Sequence, residues 1–126
     1  LDQLVIMASI VEREAQLEEE RGKVASVFYN RIEKKMLFQS CATVQYVLGE
    51  RKDVLSFDDI AIDSPYNTYK YLGLTPSPIA NPGAASLMAA LYPEDTDYLY
   101  FRRSIKNDGS QIFSKTLREH ENAKNK

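Results

Sequence analysis

Residues 4–15 read LVIMASIVEREA, an apolar run that ends in two carboxylates separated by one arginine. Apolar and small residues recur there at helical spacing: Leu4, Met7, Ala8, Val11 and Ala15. This spacing predicts a helix over 2–15, and because little polar surface precedes Glu12 we expect the helix to be central and buried. A buried carboxylate without a partner either costs several kcal/mol or keeps its proton. Glu12 and Glu14 are therefore the first residues to consider for chemistry.

The two glutamates cannot share one face of a helix, since two positions correspond to about 200° of rotation. Glu12 follows Ala8 and Ser9 by about one turn, and these small residues would leave a cavity beside it. One interpretation is that both carboxylates are solvated or paired with arginine at the helix end. The other is a single acid whose pKa is raised by an apolar pocket, so that it can protonate a leaving-group oxygen. Periodicity does not decide between the two.

Composition limits the class of protein. The chain has 126 residues, 44% of them hydrophobic, and a net charge of −2, which are values typical of one soluble globular domain. The basic residues are scattered, so we expect no nucleic-acid partner. Cys41 is the only cysteine and His120 the only histidine, which excludes an intrachain disulfide and a zinc site built from cysteines. No cofactor motif occurs, and we expect His120 to be a surface or capping residue.

Further helices are predicted along the chain. A second helix is expected over about 18–35, with an apolar stripe of Val24, Val27, Phe28 and Ile32. The segment TVQYVLG predicts a short helix that ends at Gly49, and FDDI predicts another that is capped by Ser56. GAASLMAALYP predicts a helix from residue 83 that stops before Pro93.

The last part of the chain predicts a hairpin and a terminal helix. DYLYFRRS and QIFS have the alternation and aromatic content of strands, and the Asp-Gly of KNDGSQ is typical of the turn between them. A final helix over about 114–124 would be capped by Ser114. The sequence therefore predicts an α+β fold: a buried N-terminal helix packed with several helices, and a small antiparallel hairpin.

Residues 63–83 form a long segment with no regular element. DSPYNTYKYLGLTPSPIANPG contains four of the five prolines and three tyrosines, so neither a helix nor a strand is expected. Such a segment in a compact domain is usually functional or disordered, and the tyrosines favour order. The tyrosine, asparagine and threonine side chains could bind sugars, or the tyrosines could simply pack over a rigid turn.

Several motifs together resemble one family. ASIVEREA, ERGKVASVFYNRI, LFQS, TVQY, SPYNTYKYLGLTPSPIANPG, DYLYFRRS and IFSKTLREH resemble, in order and spacing, the endolytic murein transglycosylases of the MltG or YceG-like family. The resemblance implies a bacterial lytic transglycosylase that cuts the β-1,4 bond between N-acetylmuramic acid and N-acetylglucosamine in nascent peptidoglycan, leaving a 1,6-anhydro end. It maps the catalytic glutamate onto Glu12. It also implies a substrate groove lined by Gln39, Ser40, Tyr66, Asn67, Thr68, Tyr69 and Asn81.

The resemblance also implies a setting for the enzyme. It predicts one catalytic domain over 1–126, preceded by a single-pass membrane anchor and a LysM-like domain, with catalysis on the periplasmic or extracellular side. Peptidoglycan synthases are the implied protein partners, and no cofactor or metal is needed.

The sequence departs from the family pattern at a few positions. Cys41-Ala42 stands where the family has Asp-Pro, and Gln111 stands where a histidine is common. Two alternatives therefore stay open: a lysozyme-like muramidase assisted by Glu14 or Asp63, and a catalytically weak glycan-binding or scaffold domain.

Overall fold

The predicted N-terminal helix forms the centre of the fold. The computed structural model describes residues 2–50, 52 and 54–126, and its first helix, α1, spans Asp2–Glu14. Every residue from Ile6 to Val11 in α1 is buried, which means that neighbours cover the helix all round. These neighbours include α2 (Arg21–Glu33), α3 (Cys41–Leu48) and α5 (Ala84–Leu91). The expectation of a central, buried helix is confirmed.

The second helix differs from the prediction at both ends. A short 3₁₀ turn, Glu18–Glu20, precedes α2 (Arg21–Glu33). Val24, Val27 and Phe28 are buried as predicted, but Ile32 is 42% exposed, so its place in the apolar stripe was wrong. Arg31 occupies the inward position instead.

Arg31 can lie inside because its guanidinium satisfies buried backbone carbonyls. Nε donates to the Leu99 carbonyl at 2.7 Å, and Nη1 donates to the Leu37 and Phe38 carbonyls at 2.7 and 3.1 Å. A guanidinium group has several N–H donors in a fixed planar arrangement, so it can donate to several carbonyls at once. An apolar side chain has no donor and would leave these carbonyls without partners. Arg31 therefore ties the end of α2 to the segments before α3 and before the hairpin.

The short helices lie where local signals placed them. α3 (Cys41–Leu48) ends at Gly49, whose φ of 75° is the left-handed conformation that glycine adopts without strain. α4 (Phe57–Ile60) begins at Ser56, where the Ser56 hydroxyl accepts from the Asp59 amide and the Asp59 carboxylate accepts from the Ser56 amide. α5 (Ala84–Leu91) lies between Pro82 and Pro93, as expected.

The hairpin pairs two short antiparallel strands. β1 (Tyr100–Arg103) faces β2 (Gln111–Ser114), with Tyr100 opposite Ser114 and Arg103 opposite Gln111. β1 is shorter than the predicted strand over 97–104. Together with the helices, this sheet confirms the α+β class.

The terminal helix α6 (Leu117–Asn122) starts later than predicted. Its cap is Thr116, whose hydroxyl accepts from the Glu119 amide at 3.2 Å, so the assignment of the cap to Ser114 was wrong. Ser114 is buried at the end of β2, and its carbonyl accepts from the Leu99 amide at 3.0 Å. A residue held in the sheet in this way cannot also begin a helix.

Residues 63–83 are irregular, as predicted, and are held by buried polar side chains. Asn67 is fully buried, and its amide donates to the carbonyls of Ile60 and Ile62 at 2.9 and 2.8 Å. Its side-chain oxygen accepts from the Tyr69 amide at 3.0 Å. These bonds replace the ladder of a regular element. Within the described part of the chain, no helix is long and apolar enough to cross a membrane.

Candidate active site

A cleft of about 760 Å³ collects residues from most elements of the fold. Its walls are the end of α1, the start of α3, Tyr69 of the long loop, the hairpin and α6. The lining residues are Arg13, Glu14, Arg31, Phe38, Gln39, Cys41, Gln45, Lys52, Tyr69, Tyr100, Phe101, Arg102, Arg103, Gln111, Leu117 and His120. Among the described residues, Glu14 is the one carboxylate that lines this cleft.

The surroundings of Glu14 favour the protonated form of its carboxyl group. Burial raises the pKa of Glu14, and this effect outweighs the hydrogen bond from Ser40 and the positive charge of Arg103, which both lower it. The Ser40 hydroxyl donates to Glu14 Oε2 at 2.9 Å. Gln111 Nε2 donates to the Glu14 carbonyl at 2.9 Å, which fixes the backbone at the helix end. Side chain and backbone are thus both held.

Glu12 has the opposite environment. Its Oε1 accepts from the Gly83 amide and from the Ser86 hydroxyl, both at 2.9 Å, at the start of α5. These two bonds lower the pKa of Glu12, and the charges of Arg21 and Arg13 add to that effect. Of the two interpretations that the sequence left open, the acid whose pKa is raised by an apolar pocket therefore does not apply to Glu12. The anion is stabilised because it lies at a helix start, where amide donors and the positive end of the helix dipole meet it.

A second, smaller cleft adjoins Glu12. Its volume is about 320 Å³, and its lining is Glu12, Arg13, Ala15, Gln16, Ala80 and Asn81. Arg13 lines both clefts and so lies at the border between them. Glu12 and Glu14 therefore face different clefts, as their rotation around the helix requires.

Buried hydroxyl groups hold Ser40, the residue whose hydroxyl donates a hydrogen bond to Glu14. The Ser40 amide donates to Thr68 Oγ1 at 2.9 Å, and Thr43 Oγ1 donates to the Ser40 carbonyl at 2.9 Å. The hydroxyls of Thr43 and Thr68 lie 2.8 Å apart, and all three residues are buried. This network connects the long loop to α3 and orients the Ser40 hydroxyl toward Glu14.

The residues predicted to line the groove do not lie together in the structure. Gln39 and Tyr69 line the main cleft, and Ser40 contacts Glu14 from behind it. Asn81 lies in the second cleft. Asn67 and Thr68 are buried and bonded within the protein, so the structure does not bring them to the cleft surface.

Tyr66 lies apart from the main cleft. Its hydroxyl is 2.6 Å from that of Ser77, and its ring lies 5.1 Å from the ring of Tyr46. It packs the long loop onto α3, which is the structural role that the sequence left open for the loop tyrosines.

Cys41, where the family resemblance predicts an aspartate, lies in the lining of the cleft. Its sulfur lies 3.2 Å from the Tyr69 hydroxyl. Burial raises the pKa of the Cys41 thiol, and burial is likewise the main reason that the pKa of Tyr69 is raised. Cys41 thus gives Glu14 no neighbouring carboxylate at this position.

Sequence reasoning missed several cleft residues. His120 lines the cleft and stacks on Tyr100 with 5.2 Å between ring centres, and burial lowers its pKa. Arg13 and Arg103 also line it. The sequence predicted a strand containing Arg103 but not its register, and the structure places Arg103 opposite Gln111. Within the described residues, no group of histidine, cysteine and carboxylate side chains could hold a metal ion.

The fold and the site define an α+β domain with an open cleft, whose described lining contains one carboxyl group, Glu14, with a raised pKa. The model of the YceG-like family matches residues 1–126, and the chain belongs to this family. A crystal structure of a yceG-like protein from Listeria monocytogenes is 50% identical and superposes with a TM-score of 0.91, covering 98% of this chain and 40% of that one.

Two curated relatives share the name endolytic murein transglycosylase. The one from Bacillus subtilis strain 168 is 54% identical over 123 residues, which cover 98% of this chain. The one from Streptococcus pneumoniae D39 is 32% identical over 126 residues, which cover 96% of this chain. The chain spans 34% of the Bacillus protein and 23% of the Streptococcus protein.

Proposed function

We propose that this chain is the catalytic part of a lytic transglycosylase, a carbon–oxygen lyase that cuts peptidoglycan strands internally. The reaction would break the β-1,4 bond between N-acetylmuramic acid and N-acetylglucosamine. The observation that supports the proposal is Glu14: a carboxyl with a raised pKa, bonded to Ser40, on the wall of an open cleft. The names of the curated relatives agree with this activity.

Glu14 would serve first as acid and then as base. Its proton goes to the glycosidic oxygen while the bond from C1 to that oxygen breaks. The Glu14 carboxylate then takes the proton of the C6 hydroxyl of the same muramic acid as O6 bonds to C1. The products are a strand with a free hydroxyl and a strand with a 1,6-anhydro end, with no water consumed. A held, intramolecular nucleophile gives this route a large advantage over attack by water.

The cleft favours a mechanism with a single acid. Retaining and inverting glycosidases ordinarily need a second carboxylate. Asp63, one candidate for that role, accepts from the Tyr71 hydroxyl at 2.7 Å and does not line the cleft. Glu12 faces the other cleft. Among the described residues, the muramidase alternative therefore has no partner for Glu14.

The assignment is tested by comparing three proteins on purified glycan strands: the wild type, Glu14→Gln and Glu12→Gln. We expect Glu14→Gln to lower the cleavage rate by about 10²- to 10⁴-fold, because the proton donor is lost. Glu12→Gln should keep most of the activity. Glu12 as the catalyst remains a prediction from the family resemblance, and the opposite result would restore it.

Product mass tests the reaction type in the same digest. An anhydro end is lighter by one water than a hydrolysed end. Products that carry the added water would establish a muramidase instead, and binding without cleavage by the wild type would support the scaffold alternative.

We also propose the cellular setting that the resemblance implies. The catalytic part would act outside the cytoplasmic membrane, attached through an upstream anchor, and would work beside peptidoglycan synthases. Protease accessibility of the full-length protein in intact spheroplasts tests the orientation: protection of this domain from external protease would contradict it.

A further inference from the structure

We propose that Arg13 and Arg103 bind carboxylates of the peptide stems that muramic acid carries, so that the preferred substrate is a stem-bearing strand. The proposal rests on the proposed function, which names peptidoglycan as the substrate. It goes further because it states that the cleft binds the peptide stems of peptidoglycan as well as the sugar rings.

The charge of the main cleft is opposite to that of the chain. The net charge of the whole chain is −2. The described cleft lining nevertheless contains a single acidic side chain, Glu14. The cations that line it are Arg13, Arg31, Lys52, Arg102 and Arg103. A cleft with this lining attracts anions, and its field strengthens where the walls exclude water.

Three of these cations have partners within the protein. Arg31 donates to buried carbonyls, including that of Leu99. Arg102 Nη1 donates to the His120 carbonyl at 2.9 Å. Lys52 Nζ lies 2.6 Å from Asp59 Oδ2. These three cations are therefore already paired with groups of the protein.

Arg13 and Arg103 are different. Both are exposed, and neither side chain forms a hydrogen bond or an ion pair within 4 Å with another described residue. Arg103 is close enough to act on the charge of Glu14, and Arg13 lies where the two clefts meet. Arg13 from α1 and Arg103 from β1 therefore line the same cleft as the proposed acid, Glu14.

The substrate offers a ligand that matches these groups. A planar guanidinium binds a carboxylate through two parallel hydrogen bonds, a geometry that a lysine ammonium does not offer. Peptide stems attached to the lactyl group of muramic acid end in carboxylates. A strand without stems instead exposes the lactyl carboxylate itself. Both sources have the same chemistry, and we assign the stem carboxylates because the two arginines are exposed at the cleft opening.

Binding is measured with the Glu14→Gln protein, which removes the proposed acid and prevents turnover. Its dissociation constants are compared for three ligands: strands with intact stems, the same strands with stem carboxylates converted to methylamides, and strands stripped of stems. The comparison is repeated after adding Arg13→Gln and Arg103→Gln together. The matched control adds Lys34→Gln and Lys124→Gln, which remove two exposed charges that do not line the cleft.

We expect methylamidation to weaken binding about tenfold in the Glu14→Gln protein and in the lysine control. The arginine double variant should bind both forms alike, with an unchanged circular dichroism spectrum that shows it is folded. Equal affinity of the Glu14→Gln protein for acid and methylamide strands would overturn the proposal, as would no measurable binding to stem-bearing strands. Tighter binding to stripped strands would overturn the assignment to stems.

These outcomes are independent of cleavage. If the wild type failed to cut strands but the variants showed the expected selectivity, the proposed reaction would fail while the recognition of stems would stand. If the wild type cut intact and methylamidated strands equally well and also bound them equally, the reaction would stand and this inference would fail.

Discussion

At the scale of single residues, Glu14 makes folding depend on pH. Burial raises the pKa of Glu14 above its ordinary value in the folded protein, so the native state binds the proton more tightly than the unfolded chain. The contribution of Glu14 to stability is therefore fully present below its unfolded pKa and is lost as pH rises through its folded pKa, because the ionised carboxylate is poorly solvated in the folded protein. We expect Glu14→Gln to raise the melting temperature at about pH 8 and to change it little at about pH 4. Thermal unfolding followed by circular dichroism checks this, and a loss of stability at the higher pH would contradict it.

Glu12 is the natural control, because its pKa is shifted downward. The folded protein favours its carboxylate, so its contribution is present above the unfolded pKa and is lost as pH falls through the folded pKa. Glu12→Gln removes a charged acceptor shared by Gly83 and Ser86, and its side chain is 30% exposed, which weakens the effect. We expect a loss of about 1 kcal/mol near neutral pH that disappears in acid. Urea unfolding at two pH values measures it; a gain in stability would overturn the capping role.

Glu12 and Glu14 show why the spacing of residues in the sequence could not identify which of the two is the candidate catalytic acid. The sequence correctly predicted that Glu12 and Glu14 would face different ways, because that follows from helix geometry. Gly83, whose amide donates to Glu12, is 71 positions away along the chain, and Ser40, whose hydroxyl donates to Glu14, is 26 positions away. A local sequence pattern does not include residues so far apart, so the electrostatic environments of Glu12 and Glu14 could be assigned only from the three-dimensional structure.

At the scale of elements, the loop over 63–83 depends on Asn67. We expect Asn67→Ala to cost about 2–3 kcal/mol, because the carbonyls of Ile60 and Ile62 would lose a buried donor. Cleavage should fall as well, since Thr68 next to it orients Ser40. The control is Asn81→Ala, an exposed residue of the same loop that should cost less than about 0.5 kcal/mol. Chemical denaturation with parallel activity measurements decides, and equal costs for the two variants would contradict the role of Asn67.

Elements with local signals were predictable, and those fixed by distant contacts were not. As predicted, α3 ends at the left-handed Gly49 and α4 begins at Ser56 with a capping box. Both signals depend on residues only a few positions apart in the sequence. The start of α6 was wrong because Ser114 has the right side chain for a cap but is held by β2. The exposure of Ile32 was not predicted, because at this point of α2 the inward position is occupied by Arg31, whose guanidinium donates to backbone carbonyls.

At the scale of the whole molecule, the same central helix supports the core and carries the candidate acid. α1 is covered by α2, α3 and α5, and its last residue is Glu14. The sequence predicted this buried helix and the α+β class from hydrophobic periodicity. It could not predict the cleft, whose lining extends from Arg13 to His120 and requires the long loop, the hairpin and α6 to meet.

Because one helix serves both purposes, loss of the core should remove the cleft at the same time. Ile10 is fully buried in α1, and Ile10→Ala should lower the free energy of unfolding by about 2–5 kcal/mol through lost burial and a residual cavity. Ile32→Ala is the matched control: Ile32 is 42% exposed, so the same truncation should cost less than about 1 kcal/mol. Urea titrations followed by circular dichroism and by strand cleavage should give one shared midpoint for each protein, lower in Ile10→Ala. Separate midpoints would show that the cleft is lost before the core, and equal costs for the two variants would show that α1 does not hold the fold together.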